Sequence, residues 1–479
     1  MLPLYAVGLP ALQDAAGRTF GDVRNPLIVS VRSGAPVSMP GMMETLLNIG
    51  LCEQTLPGLL RQTGNPRLVW DAYRRLIASY GEVVAGLPGS LFEEELKQVT
   101  QGLDERGLDF SELRDLTRRF LSLYQQHAGK PFPQDVTEQL WGAVRAVFAS
   151  WDAEKAQAYR KLNHIDAAMG TAVMIQAMVF GNSGGHSGAG VGFTRDPTTG
   201  EPRLWVDFLA NAQGEDVVSG RRNAHGHQAM ASLAPQAWRR LEESTRMLER
   251  EFQDMQDFEF TVQDGVFHML QTRSGKRTPL AAARIALDLR DEGVIDCATA
   301  LERTADLREE DLATVKIVLK GAPGSRANPL ASAMSACPGV VSGEIALDEE
   351  RAAARALAGV AVVLVRQDAE TNDIAALESS VGLLTQRGAR TSHAAVVARQ
   401  LGKVCLVGCE NLRIDSRSRT VRLGEALLGE GDVITLDGND GQVYPGAVES
   451  VRVPDEALLG RLRALRTLEA RNHQGKRHK

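Results

Sequence analysis

The 479 residues carry 54 Lys and Arg against 60 Asp and Glu, and a net charge of −6 leaves no electrostatic footprint for nucleic acid. Hydrophobic content of 43% and charged content of 24% are ordinary for a globular chain, and the length suggests about two to four domains, each able to bury its own core. No apolar run approaches transmembrane length, and Met1–Ala16 has no basic stretch ahead of its apolar residues, so neither a membrane span nor a secretory leader is expected. The five cysteines (Cys52, Cys297, Cys337, Cys405, Cys409) are scattered without metal-site pairs and read as reduced thiols of a cytoplasmic protein.

From the N-terminus, Leu27–Val31 reads as a strand, and Arg32 follows it two residues before Gly34. That placement suits a guanidinium gripping phosphate oxygens bidentately, and it equally suits a structural ion pair. Ser38-Met39-Pro40-Gly41 and the Gly181–Gly192 stretch have glycines where a backbone would approach phosphates closely, although most glycine loops are only turns. Residues 48–151 are mostly helical in pattern, with Trp70, Tyr73, Leu76, Ile77 and Tyr80 at helical spacing and expected in the core. Gly170–Gly220 switches to short β-rich runs.

Asp257, Glu259 and Thr261 alternate with Phe258, Phe260 and Val262, so two carboxylates share one face of a strand whose other face is buried. Asp264-Gly265 signals a hairpin, and the return strand ends in Gln271 and Arg273. Glu259 and Gln271 are a hard-oxygen set suited to Mg²⁺ on a triphosphate; an ordinary amphipathic hairpin with a solvated face gives the same pattern. The parity decides between them. After a plain two-residue turn Glu259 would share its face with Leu270 and Thr272, while Gln271 and Arg273 pointed away. A common site therefore predicts a three-residue loop or a bulge, with Phe258, Phe260 and Leu270 buried beneath.

Residues 301–337, charged and then rich in Gly, Pro, Ser and Ala, read as a linker with a hinge near Leu319–Pro338. Residues 338–455 alternate strands and helices. Residues 456–479 start helically and end in a basic tail expected to fray. Within the alternating part, Val360–Val365 and Val404–Val407 are short enough to be buried strands around Thr391-Ser392-His393-Ala394-Ala395-Val396-Val397-Ala398-Arg399. The hydroxyl residues favour a helix N-cap, which puts His393 in the first turn, where backbone N–H groups and the helix dipole favour a phosphoryl group. A capped surface helix with an incidental histidine has the same local signature.

Five ordered segments carry more than any one of them. Ser30–Gly34 with Ser38–Met43, Gly188–Pro197, Asn211–Val218, Asp257–Thr261 with Leu270–Arg273, and Leu384–Gly388 running into Thr391–Arg399 resemble the pyruvate phosphate dikinase and phosphoenolpyruvate synthase family. The first four resemble the dikinase branch, and the resemblance runs from about Gly17 to about Gly446. It implies a multidomain α+β and α/β chain. Residues 1–300 would form an ATP-grasp-like nucleotide-binding region with a helical insertion, followed by a swivelling phosphohistidine domain. It implies that Arg32, Gly41, Arg75, Thr194, Glu215, Asp216, Asp257, Glu259, Gln271 and Arg273 surround ATP and phosphate, with Mg²⁺ on Glu259 and Gln271. His393, Thr391 and Arg390 would form the catalytic loop.

The implied chemistry is attack of His393 on the β-phosphorus of ATP, release of AMP, then transfer of the terminal phosphoryl group to inorganic phosphate. Three departures from the family pattern accompany the resemblance. The 479 residues show no barrel for pyruvate or phosphoenolpyruvate, which implies an acceptor on a separate chain. The family's opening segment, with its glycine-rich loop and lysine, has no counterpart before Gly17, which leaves open a complementing chain, impaired nucleotide binding or a misplaced gene start; a homodimer is a separate expectation. Ala389 and Arg390 stand where the family has a glycine and a methionine, and Arg390 is expected to add a cation beside His393. A non-catalytic, regulatory relative that binds nucleotide or a full-length partner is the competing reading.

Overall fold

The computed structural model describes residues 7–37, 39, 41–101, 105–218, 225–318, 328–368 and 373–476. Ser38 and Pro40 of the glycine-containing loop, residues 319–327 of the expected hinge, and Arg477–Lys479 of the expected tail lie outside the described residues. The chain divides into two compact units, Met1–Val179 and Phe180–Lys479. The expected single region 1–300 is thus divided near residue 180.

In the first unit α1 (Leu9–Ala16) precedes a parallel pair, β1 (Thr19–Phe20) with β2 (Pro26–Leu27). The strand expected around Leu27–Val31 is β3 (Val29–Ser33), which lies between β4 (Thr45–Ile49) and β5 (Val173–Ala177) in an antiparallel sheet. The helical segment comprises α2 (Leu56–Thr63), α3 (Pro66–Val83), α4 (Gly89–Thr100), α5 (Phe110–Ala128), α6 (Val136–Ser150) and α7 (Glu154–Leu162). Side-chain caps mark the starts of three of these helices: Asn65 accepts the Leu68 N–H at 3.0 Å ahead of α3, Asp109 and Glu112 form a capping box on α5, and Asp135 accepts the Thr137 N–H ahead of α6. Tyr73, Leu76, Ile77 and Tyr80 are buried as their spacing predicts, whereas Trp70 is only half-buried. Phe132 makes T-shaped contacts with Tyr73, Tyr80 and Tyr124 at centroid distances of 6.0, 5.5 and 5.4 Å.

The second unit opens with β6 (Gly188–Phe193), β7 (Trp205–Ala210), α8 (Gly214–Val218), β8 (His225–Gly226), α9 (His227–Leu233), α10 (Pro235–Phe252), β9 (Gln256–Gln263) and β10 (Val266–Ser274). These strands make an antiparallel sheet in the order β10-β9-β6-β7-β8. Phe208, Phe258, Phe260 and Val262 pack with Met230, Ala237 and Leu241 of α9 and α10 against one face. This packing explains the glycines of β6. A methyl group on Gly188 or Gly190 would overlap the Phe208 or Phe260 ring, and one on Gly192 would stand 2.8 Å from Phe258. Expected as sites of close phosphate approach, these three make room for aromatic rings.

Beyond α11 (Pro279–Asp291) and α12 (Cys297–Arg303), the chain enters an α/β domain along β11 (Ala313–Ile317). The domain contains β12 (Ala331–Ser332), β13 (Met334–Cys337), β14 (Val340–Ala346), α13 (Glu349–Leu357), β15 (Val362–Arg366), α14 (Ile374–Glu378), β16 (Gly382–Thr385), α15 (His393–Gln400) and β17 (Val404–Val407). A three-stranded meander follows, β18 (Leu412–Asp415), β19 (Thr420–Leu423) and β20 (Ala426–Gly429), and then β21 (Val433–Asp437) and β22 (Gln442–Pro445). An eight-stranded sheet runs β12-β22-β21-β14-β15-β16-β17-β13, with β14 through β17 parallel. The expected strands around Val360–Val365 and Val404–Val407 are β15 and β17.

Two expected boundaries shift. Ala331–Cys337, read as linker from its small residues, supplies β12 and β13; Ala336 and Cys337 are buried as β13 pairs with β17. The chain leaves along β23 (Ser450–Pro454), which pairs antiparallel with β11, and continues into α16 (Glu456–Lys476). Read as a tail, α16 instead buries Leu458, Leu459, Leu462 and Leu465 in a core with Leu280, Ile285 and Leu289 of α11 and with Leu312. Among the described residues no helix is long and apolar enough to cross a membrane.

Candidate active site on the β9 and β10 carboxylate face

The hairpin that should bring Gln271 and Arg273 beside the carboxylates does so by a bulge. Asp264 and Gly265, with φ of 51° and 81°, form a two-residue turn, and Val266 pairs with Gln263 directly beside it. The register then holds to Met269 opposite Phe260. It slips at Leu270, so that Gln271 stands opposite Glu259 and Arg273 opposite Asp257. The three-residue loop is absent; the bulge does its work. Leu270, expected beneath the sheet, is the extra residue and is only half-buried.

Residues directly opposite share a face, and the pairing extends across four strands. One row reads Gln271, Glu259, Val191, Asp207, and the next reads Arg273, Asp257, Phe193, Trp205. This face lies opposite the one covered by α9 and α10. Burial, reinforced by the neighbouring Glu259, pushes the Asp257 carboxyl up to about 7, although Arg273 and Arg399 oppose the shift. Glu259 and Gln271 are both half-buried and offer a carboxylate and an amide oxygen side by side, a donor set that fits a hard cation. Among the described residues no group of three or more His, Cys, Asp or Glu gathers to hold a metal, so a cation here would draw its other oxygens from phosphate and water.

Over the same face lies the segment that leads into the histidine helix. Ser392 has extended backbone (φ −60°, ψ 155°) at the N-cap position of α15, and His393 is the first residue of that helix as expected, but the Ser392 hydroxyl makes no capping hydrogen bond. Ala389 is fully buried against Ala189, Val191, Leu209, Ala212 and Val217. Arg390, expected as a cation for a phosphoryl group, is engaged elsewhere. Its Nε and one terminal nitrogen donate to Asp207 Oδ1 at 3.0 and 2.7 Å, and its guanidinium lies 4.2 Å from the centre of the Trp205 ring. The Thr391 N–H and hydroxyl both donate to Asp207 Oδ2 at 3.1 Å. From α15, Arg399 reaches back to donate to the carbonyls of Ala336 and Arg390, and it faces the rings of Phe193 and Trp205. Burial pulls the Arg399 guanidinium below its ordinary value.

The other expected site residues are distributed as follows. Arg32, on β3 opposite Thr45 and Met174, Gly41, with φ of 71°, and Arg75 belong to the first unit. Arg75 and Arg74 on α3 pair with Asp71 and Glu105. Burial alone would raise the Asp71 carboxyl, but Arg75 and Arg74 hold it well below the usual carboxylate range. In the second unit Thr194 donates to Glu249 and accepts the Gln256 N–H, beside an Arg195 fork on Glu249. Glu215 is exposed on α8, while Asp216 accepts the Gln213 N–H at 3.0 Å. Asp207, Trp205, Arg399 and the packing of Ala389 escaped the sequence reading. The signal was a lone carboxylate within the apolar run Trp205-Val206-Asp207-Phe208-Leu209, since a buried charge must find a partner.

Residues 10–231 match the family described as pyruvate phosphate dikinase, AMP/ATP-binding domain, and residues 360–441 match the PEP-utilising enzyme, mobile domain. The chain is 41% identical over 473 residues to pyruvate, phosphate dikinase of Clostridium symbiosum, a match spanning 96% of this chain and 54% of that protein. It is 42% identical over 456 residues to the Rhizobium meliloti (strain 1021) protein of the same name, spanning 92% and 50%. For the chloroplastic pyruvate, phosphate dikinase 1 of Zea mays the figures are 41% over 442 residues, 92% and 46%. The chain spans about half the length of the curated relatives it matches. Two matched domains in the same order, an ATP-grasp-like nucleotide-binding region ahead of a mobile α/β domain, and this identity along almost the whole chain place it in the pyruvate phosphate dikinase family.

Proposed function

We propose that this chain phosphorylates His393 from ATP by dikinase chemistry. One observation carries the reading: the segment entering the His393 helix is seated on the sheet face that bears Asp257, Glu259, Gln271 and Arg273. In the first step the imidazole Nε2 bonds to the β-phosphorus, the bond from that phosphorus to the oxygen bridging it to the α-phosphorus breaks, and AMP leaves. In the second, an oxygen of inorganic phosphate bonds to the terminal phosphorus. The β–γ bridge breaks, pyrophosphate leaves, and the former β-phosphoryl group remains on the histidine.

A neutral imidazole is a competent nucleophile near pH 7. Arg273 would offset phosphate charge, and Arg32, Gly41, Arg75, Thr194, Glu215 and Asp216 remain the further residues proposed around ATP and phosphate. Mg²⁺, held between Glu259, Gln271 and the phosphates, would supply charge neutralisation. The α/β domain would swing about the β11–β23 connection to hand the group to an acceptor on a separate chain, in a cytoplasmic setting that fits the free cysteines.

The test uses ATP labelled separately at the β and γ positions. Without phosphate both labels should appear on the protein in acid-labile form; with phosphate only the β label should remain. His393→Ala should abolish both. Label that persists in that variant would overturn the proposal, and bound ATP without any labelling would favour a regulatory role.

A further inference from the structure

Asp207 is the most enclosed carboxylate on the site face, 1% exposed in the middle of β7. Among the described residues, every donor to its carboxylate comes from the histidine-bearing domain. Arg390 gives two N–H groups to Oδ1, and Thr391 gives its N–H and hydroxyl to Oδ2. Among the described residues, the nucleotide-binding sheet therefore carries a buried carboxylate whose partners all come from the other domain. Around that pair, Trp205 lies beneath the Arg390 and Arg399 guanidiniums, and Ala389 fills the apolar patch of Ala189, Val191 and Leu209. Asp207 and Glu259 are in the same row two strands apart, about 10 Å. Thr391 is two residues ahead of His393, so its backbone bond to Asp207 also sets the start of α15.

We propose that Asp207, Arg390 and Thr391 form a docking latch that seats the histidine-bearing domain on the carboxylate face and must open before that domain can leave. The inference rests on the proposed function for its purpose, and on the four hydrogen bonds for its existence. Arg390 and Asp207 are positioning residues; they hold the helix in register with the bound nucleotide and need not touch it. Closure gathers four donors on one carboxylate, and opening returns an aspartate and an arginine to water, so the latch favours one seated position without making it permanent.

The test reads domain position directly in the full chain. Cys297 on α12 is exposed, whereas the other four cysteines are buried, and Leu427 on β20 is 61% exposed. A Leu427→Cys background labelled with a donor–acceptor pair reports the separation of the two domains. Arg390→Met keeps an apolar stem for Trp205 and removes the charge; Asp207→Asn keeps the shape and removes the charge. Each should lower transfer efficiency. The double variant should fall no further than the worse single, because the two residues act as one interaction.

With labelled ATP, Arg390→Met should slow histidine labelling about tenfold at saturating ATP while leaving KM for ATP unchanged, and Arg390→Lys should recover part of the rate. Unchanged transfer efficiency in Arg390→Met, or strictly additive losses in the double variant, would overturn the latch. If Asp207→Asn fails to fold, the half-exposed Arg390 variants decide alone. Absence of all histidine labelling in the unmodified chain would count against the proposed function; the fluorescence result would still decide the latch.

Discussion

Asp257 shows how one position acquires chemistry from its neighbours. Half-buried beside Glu259, its carboxyl is pushed up to about 7 from an ordinary value near 3.8 by desolvation and by that neighbouring charge. The folded chain then keeps a proton that the unfolded chain releases, so stability should fall as pH rises from about 4 to about 7 and level off above. Urea unfolding across that range should show the decline in the unmodified chain and a flatter profile in Asp257→Asn. An identical slope in both would remove Asp257 as its source. Asp71 has the opposite sign: held low by Arg75 and Arg74, it contributes stability at neutral pH that is lost only in acid, below the window in which Asp257 acts. The pairing of Asp257 with Glu259 was legible from alternation alone. The partners of Asp207 were not, because they lie more than 180 residues away in the chain.

At the scale of the element, the β9–β10 hairpin turns on one surplus residue. Leu270 is the bulge, and the strand beyond it is in step only because Leu270 occupies no place in the ladder. Deleting Leu270 should therefore keep Gln271 opposite Glu259 and Arg273 opposite Asp257, and ATP affinity should survive. Deleting Thr272 should turn Arg273 to the face packed by α10. Loss of a charged phosphate contact, worth about 1.5–3 kcal/mol, should then weaken ATP binding at least about tenfold. Calorimetric titration of both deletions, with circular dichroism as the folding control, checks this, and equal affinities would refute the facing argument. Parity predicted that a register reset was needed. It could not choose between a longer loop and a bulge, since both restore the same faces.

Across the whole second unit, the chain passes from the antiparallel sheet to the eight-stranded one and back. It enters along β11, returns along the paired β23, and closes with α16 on α11. A leucine such as Leu462, 1% exposed, therefore ties the end of the described chain to the nucleotide-binding core. Leu462→Ala should cost about 2–5 kcal/mol of unfolding free energy, as a buried leucine truncation does. Chemical denaturation measures it, and a change below about 0.5 kcal/mol would mean that α16 is only loosely attached.

Local pattern determined the strand alternation at 257–262, the helical caps before α3 and α5, the start of the His393 helix and the ordered motifs that carry the family resemblance. Each of these rests on residues within a turn or a strand of one another, where periodicity and capping chemistry act directly. Tertiary structure alone decided that the β6 glycines serve aromatic rings, that Ala331–Cys337 completes a sheet, that α16 is core, and that Arg390 answers Asp207. The physical reason is the same for all four: burial and charge pairing depend on which distant surfaces meet, and a residue's own neighbours in sequence carry no record of that.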